Sequence, residues 1–347
     1  MGAARTKKLF MPENNDDNIK VINGETTNLL NLENIKYQWA HEIFDVIFGN
    51  TWLPHKSSMG EDKNQWKKLT ADEQEAYKDV ISFLVFLDSI QTNNLPNIAS
   101  YITAPDIVYV LARQTFDEAI HSKSYGWILS SIFTHDEASK VVYRWRENDL
   151  LLERNKFITD QYEKFLEEQN PEAFVKVCIA NYLLEGLYFY NGFYMFHNLA
   201  SRGLMVGTDT QIRYIQRDEI QHCNIFKNIL LESFKENEGL RDKMEDEIYE
   251  MFKTAVDWEV KFSNAVIGNK ILGMTEESIE EYAHHLGNRR LKDIGLKQIF
   301  EKGKKNPYTH LDMLAGVEDD STVRSNNFEV TSINYKNPSA VDGWDDI

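Results

Sequence analysis

Residues 178–190 read Cys178-Ile179-Ala180-Asn181-Tyr182-Leu183-Leu184-Glu185-Gly186-Leu187-Tyr188-Phe189-Tyr190, a helix-length run with one carboxylate among apolar and aromatic neighbours. Residues 81–90, Ile81-Ser82-Phe83-Leu84-Val85-Phe86-Leu87-Asp88-Ser89-Ile90, repeat the anomaly around Asp88. A helix that is apolar all round belongs in a protein interior. An unpaired carboxylate there costs several kcal/mol, so Asp88 and Glu185 must each be neutralised, paired or bound to a metal ion.

Two further stretches carry Glu-x-x-His: Glu118-Ala119-Ile120-His121 and Glu219-Ile220-Gln221-His222. A separation of three places both side chains on one helix face, a turn apart, where both reach a single ion. The order is an acid followed 30 residues on by the first motif (88 to 118), then an acid followed 34 residues on by the second (185 to 219). One Glu-x-x-His is a weak signal; two, each preceded by a buried acid, form a quasi-repeat on four helices. That is the general pattern of ferritin-like di-iron and di-manganese carboxylate bundles. Four carboxylates and two imidazoles suit a pair of iron or manganese ions, and ligand identity does not choose between them. The competing account is a set of buried ion pairs, for which only Arg113 and Arg217 stand close in sequence.

The whole chain agrees with a helical interior of this kind. It has 347 residues, 42% hydrophobic and 27% charged, with only 7 prolines and 17 glycines to interrupt helices. No run of 18 uncharged apolar residues predicts a membrane span. Met1–Pro12 lacks the apolar core of a secretory leader, and two cysteines, Cys178 and Cys223, cannot build a disulfide framework. A cytoplasmic protein with buried, reduced thiols is expected. A formal charge of −17 argues against a nucleic-acid partner, which needs clustered Lys and Arg.

Periodicity and capping residues predict helices over about Leu32–Phe48, from an N-cap at Thr70 to Gln91 with Pro96 beyond its end, and from Thr103 and Pro105 to Phe133. Two shorter ones fill Asp136–Gln169. A long one runs from Asn170-Pro171 to Ala200, and the next is capped by Thr208 or Asp209 and ends before Gly239. Arg241–Asn269 and Glu276–Lys302 complete the set, and no strands are expected. The predicted organisation is an N-terminal arm over 1–30, an all-α ferritin-like helical bundle over 31–305 with a dinuclear metal site in its core, and a flexible tail over 306–347.

Tyr125 lies four residues after His121 and seven after Glu118, on the same face. Beside an oxidising metal pair it is a candidate for one-electron oxidation, and Phe189, Phe193 and Ile215 project toward the same place to make a dry pocket. Taken together, Leu87-Asp88-Ser89-Ile90-Gln91, Glu118 to Tyr125, and Ile215 to His222 resemble the small subunit of class I ribonucleotide reductase. The resemblance runs from about Trp52 to His222 in motif detail, and more loosely to the C-terminus. It implies metal ligands Asp88, Glu118, His121, Glu185, Glu219 and His222, a pair of iron or manganese ions bridged by carboxylates and oxygen species, and Tyr125 as the stable radical. Asp88 and Tyr125 fit the tyrosyl-radical branches; a branch in which the metal pair itself holds the oxidising equivalent stays open.

The same resemblance implies a radical relay through His121, Asp218 and Trp52, with Tyr335 as its exit. It also implies a homodimer that is active as a ribonucleoside-diphosphate reductase only with a large catalytic subunit, and a flavodoxin-like activator if manganese is loaded. The tail Asp342-Gly343-Trp344-Asp345-Asp346-Ile347 combines apolar anchors with acids, as a docking peptide does. With only the 1–30 arm ahead of the first helix, allosteric nucleotide control is expected on the partner. The rival readings are a related di-metal oxidase with its own lipid-like substrate, which would need a cavity reaching the metals, a ferritin-like iron-binding protein, and a helical bundle without metal.

Overall fold

The computed structural model describes residues 7–311. Tyr335, the 342–347 docking peptide and most of the predicted 306–347 tail lie outside them. The described residues form eleven α-helices: α1 Gln38–Gly49, α2 Asp62–Trp66, α3 Ala71–Tyr101, α4 Pro105–Ile132, α5 His135–Val142, α6 Asp149–Glu168, α7 Pro171–Leu183, α8 Tyr190–Ser201, α9 Val206–Glu236, α10 Leu240–Val266 and α11 Glu276–Asp293. The only strand-like feature among them is an isolated bridge between Asn18 and Glu25. No described helix is long and apolar enough to cross a membrane.

Local chemistry explains most helix ends. Thr70 and Glu73 form a capping box at the start of α3, Pro105 occupies the first turn of α4, and Asn170 accepts from the Ala173 N–H ahead of Pro171 in α7. The departures from expectation have tertiary causes. α1 begins at Gln38 rather than near Leu32, because the Lys36 and Tyr37 N–H groups donate to Asp106 on α4. α3 passes through Pro96 and ends only at Tyr101. A proline inside a helix costs on the order of 3 kcal/mol. Here Leu95 and Ile98 are fully buried on either side of it, each contributing about 1.5–3 kcal/mol, so the helix continues.

α9 starts at Val206, ahead of the expected Thr208 or Asp209 cap. Its cap comes from another helix: the Asp62 carboxylate of α2 accepts the Gly207 and Thr208 N–H groups at 2.8 and 2.7 Å. α11 stops at Asp293 rather than Lys302, where Gly295 takes a left-handed φ of +77° and turns the chain. Residues 296–311 then return along the bundle, and Tyr308 is buried against the rings of Tyr194 and Tyr282.

α3, α4, the α7–α8 stretch and α9 surround one core. The α7–α8 stretch, expected as one helix, is interrupted by a π-helical turn at Leu184–Tyr188, and that turn carries Glu185. A π-turn inserts one residue and releases backbone carbonyls from their usual partners. Two buried arginines take them up. Arg290 of α11 donates to the Gly186 carbonyl at 3.2 Å, and Arg154 of α6 donates to the Tyr188 carbonyl at 2.7 Å. Arg154 also pairs with Glu259 of α10, whose other oxygen accepts from Asn191 and Ser263. The rings of Phe83, Tyr188 and Phe262 cover its guanidinium at 4.7, 3.9 and 4.7 Å.

Removing one partner of such a pair strands a buried charge. Arg154→Met is therefore expected to cost about 3–5 kcal/mol, and the Arg154→Met/Glu259→Met double variant to recover much of it. Thermal unfolding of the three proteins checks this, and equal midpoints for the single variant and the parent would refute it.

Candidate metal centre

Asp88 of α3, Glu118 and His121 of α4, Glu185 of the π-turn, and Glu219 and His222 of α9 are all fully buried. The structure brings the six together as two overlapping groups. Donor atoms of Asp88, Glu118, His121 and Glu219 all lie within 4.8 Å of one another, and so do those of Glu118, Glu185, Glu219 and His222. Glu118 and Glu219 belong to both groups, whereas the other four each belong to one.

Both imidazoles present Nδ1 to the cluster. His121 Nδ1 lies 3.2 Å from Glu219, 3.6 Å from Glu118 and 3.8 Å from Asp88. His222 Nδ1 lies 3.2 Å from both Glu118 and Glu219. The outer nitrogens face carboxylates in a crossed arrangement. His121 Nε2 is 3.4 Å from Asp218 of α9, and His222 Nε2 is 3.6 Å from Asp117 of α4. A carboxylate behind each ring fixes its tautomer and orientation. Sequence reasoning missed Asp117, although the signal was present: both motifs read Asp-Glu-x-x-His, at 117–121 and 218–222.

Neither nearby arginine neutralises the cluster. Arg113 pairs with Asp117 at 2.8 Å, and Arg217 approaches Asp218 at 3.4 Å while donating to the Asn50 carbonyl. Both oxygens of Asp88 and of Glu118, one each of Glu185 and Glu219, and Nδ1 of His121 make no well-aligned hydrogen bond. Burial pushes the Asp88 and Glu185 carboxyls well above the usual carboxylate range. Burial alone would lower the two imidazoles; instead Asp218, Glu118 and Glu219 around His121, and Glu219, Asp117 and Glu118 around His222, hold them well above their ordinary value. Orphaned oxygens around a common centre fit divalent cations, whose binding displaces protons from such side chains.

Glu185 has further partners that the sequence reading did not single out. Its Oε1 accepts from Gln91 and, at 2.8 Å, from Gln114, which leaves Oε2 for the cluster. Gln91 is held in turn by Tyr162, whose hydroxyl donates to Oε1 at 2.7 Å. The signal was positional: Gln91 is three residues after Asp88 and Gln114 four before Glu118, each on the same helix face as that carboxylate.

Tyr125 is fully buried on α4, and its hydroxyl lacks a well-aligned partner. Burial first, then the charge of Asp88, raises its phenol well above the ordinary value. Phe189, Phe193 and Ile215 are fully buried too, the two rings 5.7 Å apart. On the outer side of His121, Trp52 Nε1–H donates to Asp218 Oδ2 at 2.7 Å, the same oxygen that faces His121 Nε2. His121, Asp218 and Trp52 therefore form one line from the cluster to the half-buried indole.

The family model described as "Ribonucleotide reductase, small chain" matches residues 29–307. A ribonucleoside-diphosphate reductase subunit beta of Treponema pallidum is 36% identical over 323 residues, covering 93% of this chain and 92% of its own length. The solved ribonucleotide reductase R2 subunit of Clostridium botulinum is 40% identical with a TM-score of 0.87, covering 90% of this chain and 99% of that one. At 19% identity and a TM-score of 0.72, the dimanganese(II)-NrdF of Streptococcus sanguinis shares the fold over 82% of this chain and 98% of its own. The chain belongs to the ribonucleotide reductase small-chain family, and its function is that of the radical-generating beta subunit of a ribonucleoside-diphosphate reductase. The oxidase, ferritin-like and metal-free readings give way to it.

The overlap of the two groups predicts how metal is lost. Under anaerobic titration with Fe(II) or Mn(II), the parent is expected to bind about two ions per chain. Asp88→Ala and Glu185→Ala should each weaken one site and spare the other, while Glu219→Ala weakens both. Two undiminished sites in Glu219→Ala, by metal analysis after dialysis, would contradict the shared-ligand geometry.

Proposed function

We propose that Asp88, Glu118, His121, Glu185, Glu219 and His222 hold two iron or manganese ions, and that Tyr125 stores the oxidising equivalent as a stable radical. When bound, the ions supply one-electron oxidation of the neighbouring phenol after reaction with oxygen or a reduced oxygen species. The remaining work falls to side chains. Glu118 and Glu219 span both positions, Asp117 and Asp218 hold the imidazoles, and Gln91 and Gln114 fix one oxygen of Glu185. Phe189, Phe193 and Ile215 keep water and reductants from the phenoxyl.

The equivalent leaves through His121, Asp218 and Trp52. The observation that carries this reading is the single oxygen of Asp218 facing both the His121 ring and the Trp52 N–H. It joins a cluster side chain to the outside of the bundle through hydrogen-bonding groups. Tyr335 is the proposed exit residue, and Trp344 and Ile347 among the terminal acids are suited to a groove on the large subunit, where ribonucleotides bind and are reduced. The working assembly is a homodimer with that subunit, organised as an arm over 1–30, a bundle over 31–305 and a docking segment over 306–347. A flavodoxin-like activator joins the assembly if manganese is the metal. Two buried free thiols suit a cytoplasmic setting.

Activation with Fe(II) or Mn(II) under oxygen, followed by electron paramagnetic resonance and metal analysis, tests the reading. Tyr125→Phe should keep both metals, lose the organic radical signal and leave only background turnover with the large subunit; full turnover would sink the radical assignment. Trp52→Phe should keep metals and radical but lose turnover. Truncation after Asn334 should abolish binding to the large subunit without changing the metal content.

A further inference from the structure

Tyr162 belongs to α6, a helix that carries none of the six cluster residues, yet its hydroxyl reaches the cluster through one intermediate. It donates to Gln91 Oε1 at 2.7 Å. Burial, then the charges of Glu185 and Glu118, push this phenol well above the ordinary value, so it keeps its proton and stays a donor. An amide whose oxygen is engaged in this way turns its two N–H groups to the other side. Both find acceptors: Gln91 Nε2 donates to Asn181 Oδ1 at 2.5 Å and to Glu185 Oε1. Gln91, Asn181 and Glu185 are fully buried, so water does not compete for these bonds.

The second amide on Glu185 is held differently. Gln114 Nε2 donates to the same Oε1 at 2.8 Å, but Gln114 Oε1 has no well-aligned partner. Glu185 itself orients Gln114, whereas Gln91 is also oriented from outside. Asp88 makes the contrast sharper. Neither of its oxygens has a well-aligned hydrogen bond, while Glu185 commits Oε1 to two amides and keeps Oε2 uncommitted.

We propose that Tyr162 is a positioning residue for Glu185. By fixing the Gln91 amide, it confines that carboxylate to offering one oxygen to the metal position shared with Glu118, Glu219 and His222. Loss of the phenol O–H leaves Gln91 Oε1 a buried acceptor without a partner, which is costly enough to displace the amide. Rotation about its broad terminal torsion then turns Oε1 toward the Glu185 and Asn181 oxygens. Acceptor faces acceptor, and Glu185 turns away. The group containing Asp88 does not include Glu185 and keeps its donors.

This inference rests on the six-ligand metal reading, and the test separates the two. Mn(II) is titrated anaerobically into the full chain and followed by electron paramagnetic resonance. Tyr162→Phe should weaken one position about 10-fold, the lower end of what losing an outer partner costs, and spare the other. The weakened position should be the one that Glu185→Ala removes. Gln91→Leu should weaken that same position, and Tyr162→Phe added to it should change nothing further, because the tyrosine acts through that amide. Infrared difference spectra, metal-loaded minus metal-free, should show an altered separation of carboxylate stretches in Tyr162→Phe, which lost packing alone does not produce. Parental affinities in Tyr162→Phe, equal weakening of both positions, or additive effects of the two substitutions would each overturn the proposal while leaving the metal reading intact. A parent chain that binds no metal would remove both.

Discussion

Four carboxylates buried within a few ångströms of one another, with no arginine or lysine among them, set the terms for the rest of the molecule. Moving an ionised carboxylate out of water costs several kcal/mol even after relaxation, and like charges at this separation add to the cost. The usual remedy, an interior arginine, is present nearby but directed elsewhere: Arg113 and Arg217 face Asp117 and Asp218, on the far side of the imidazoles. The two histidines thus stand between the cluster and the nearest basic groups. The metal-binding function and the marginal economics of folding meet at this point, because the same arrangement that is costly without a cation is favourable with one.

The π-turn at Leu184–Tyr188 is the clearest structural consequence. It interrupts the α7–α8 helix at the position of Glu185, and it survives because Arg290 and Arg154 donate hydrogen bonds to the Gly186 and Tyr188 carbonyls. Gly186 itself permits this: a Cβ there would lie 2.7 Å from Arg290 Nε and 3.2 Å from Cys223 Sγ. The buried Arg154–Glu259 pair, remote from Glu185 in sequence, thereby helps place that carboxylate.

What was legible in the sequence divides along physical lines. Asp88, Glu185 and the two Glu-x-x-His motifs could be read because a charge in an apolar helix is an energetic contradiction and helical spacing is rigid. The π-turn could not, since every residue from Val175 to Tyr190 except Lys176 is buried and the pattern has no polar face to reveal a change of phase. The Asp62 cap of α9 and the continuation of α3 through Pro96 were hidden for a different reason. Both depend on groups remote in sequence overriding a sound local rule. Asp117 was legible in principle, one residue ahead of Glu118 as Asp218 is ahead of Glu219, but its role appears only when α4 and α9 are brought face to face.

The crossed Asp-Glu-x-x-His pairs give the centre an approximate internal symmetry, and the places where that symmetry fails carry functional meaning. Behind His222, Asp117 meets Arg113, whose guanidinium also donates to the Ile47 carbonyl and the Thr51 hydroxyl and lies over the Phe116 ring. Behind His121, Asp218 meets the Trp52 N–H, and Trp52 meets Tyr214. The group containing His121 also contains Asp88, beside which Tyr125 sits, whereas the group containing His222 includes Glu185 and its amide partners Gln91 and Gln114. Tyr125 and the hydrogen-bonded line through Asp218 to Trp52 thus flank one half of the cluster, and the amide donors Gln91 and Gln114, with Tyr162 behind Gln91, flank the other. Two nearly equivalent groups of side chains are differentiated less by their own members than by what stands behind them.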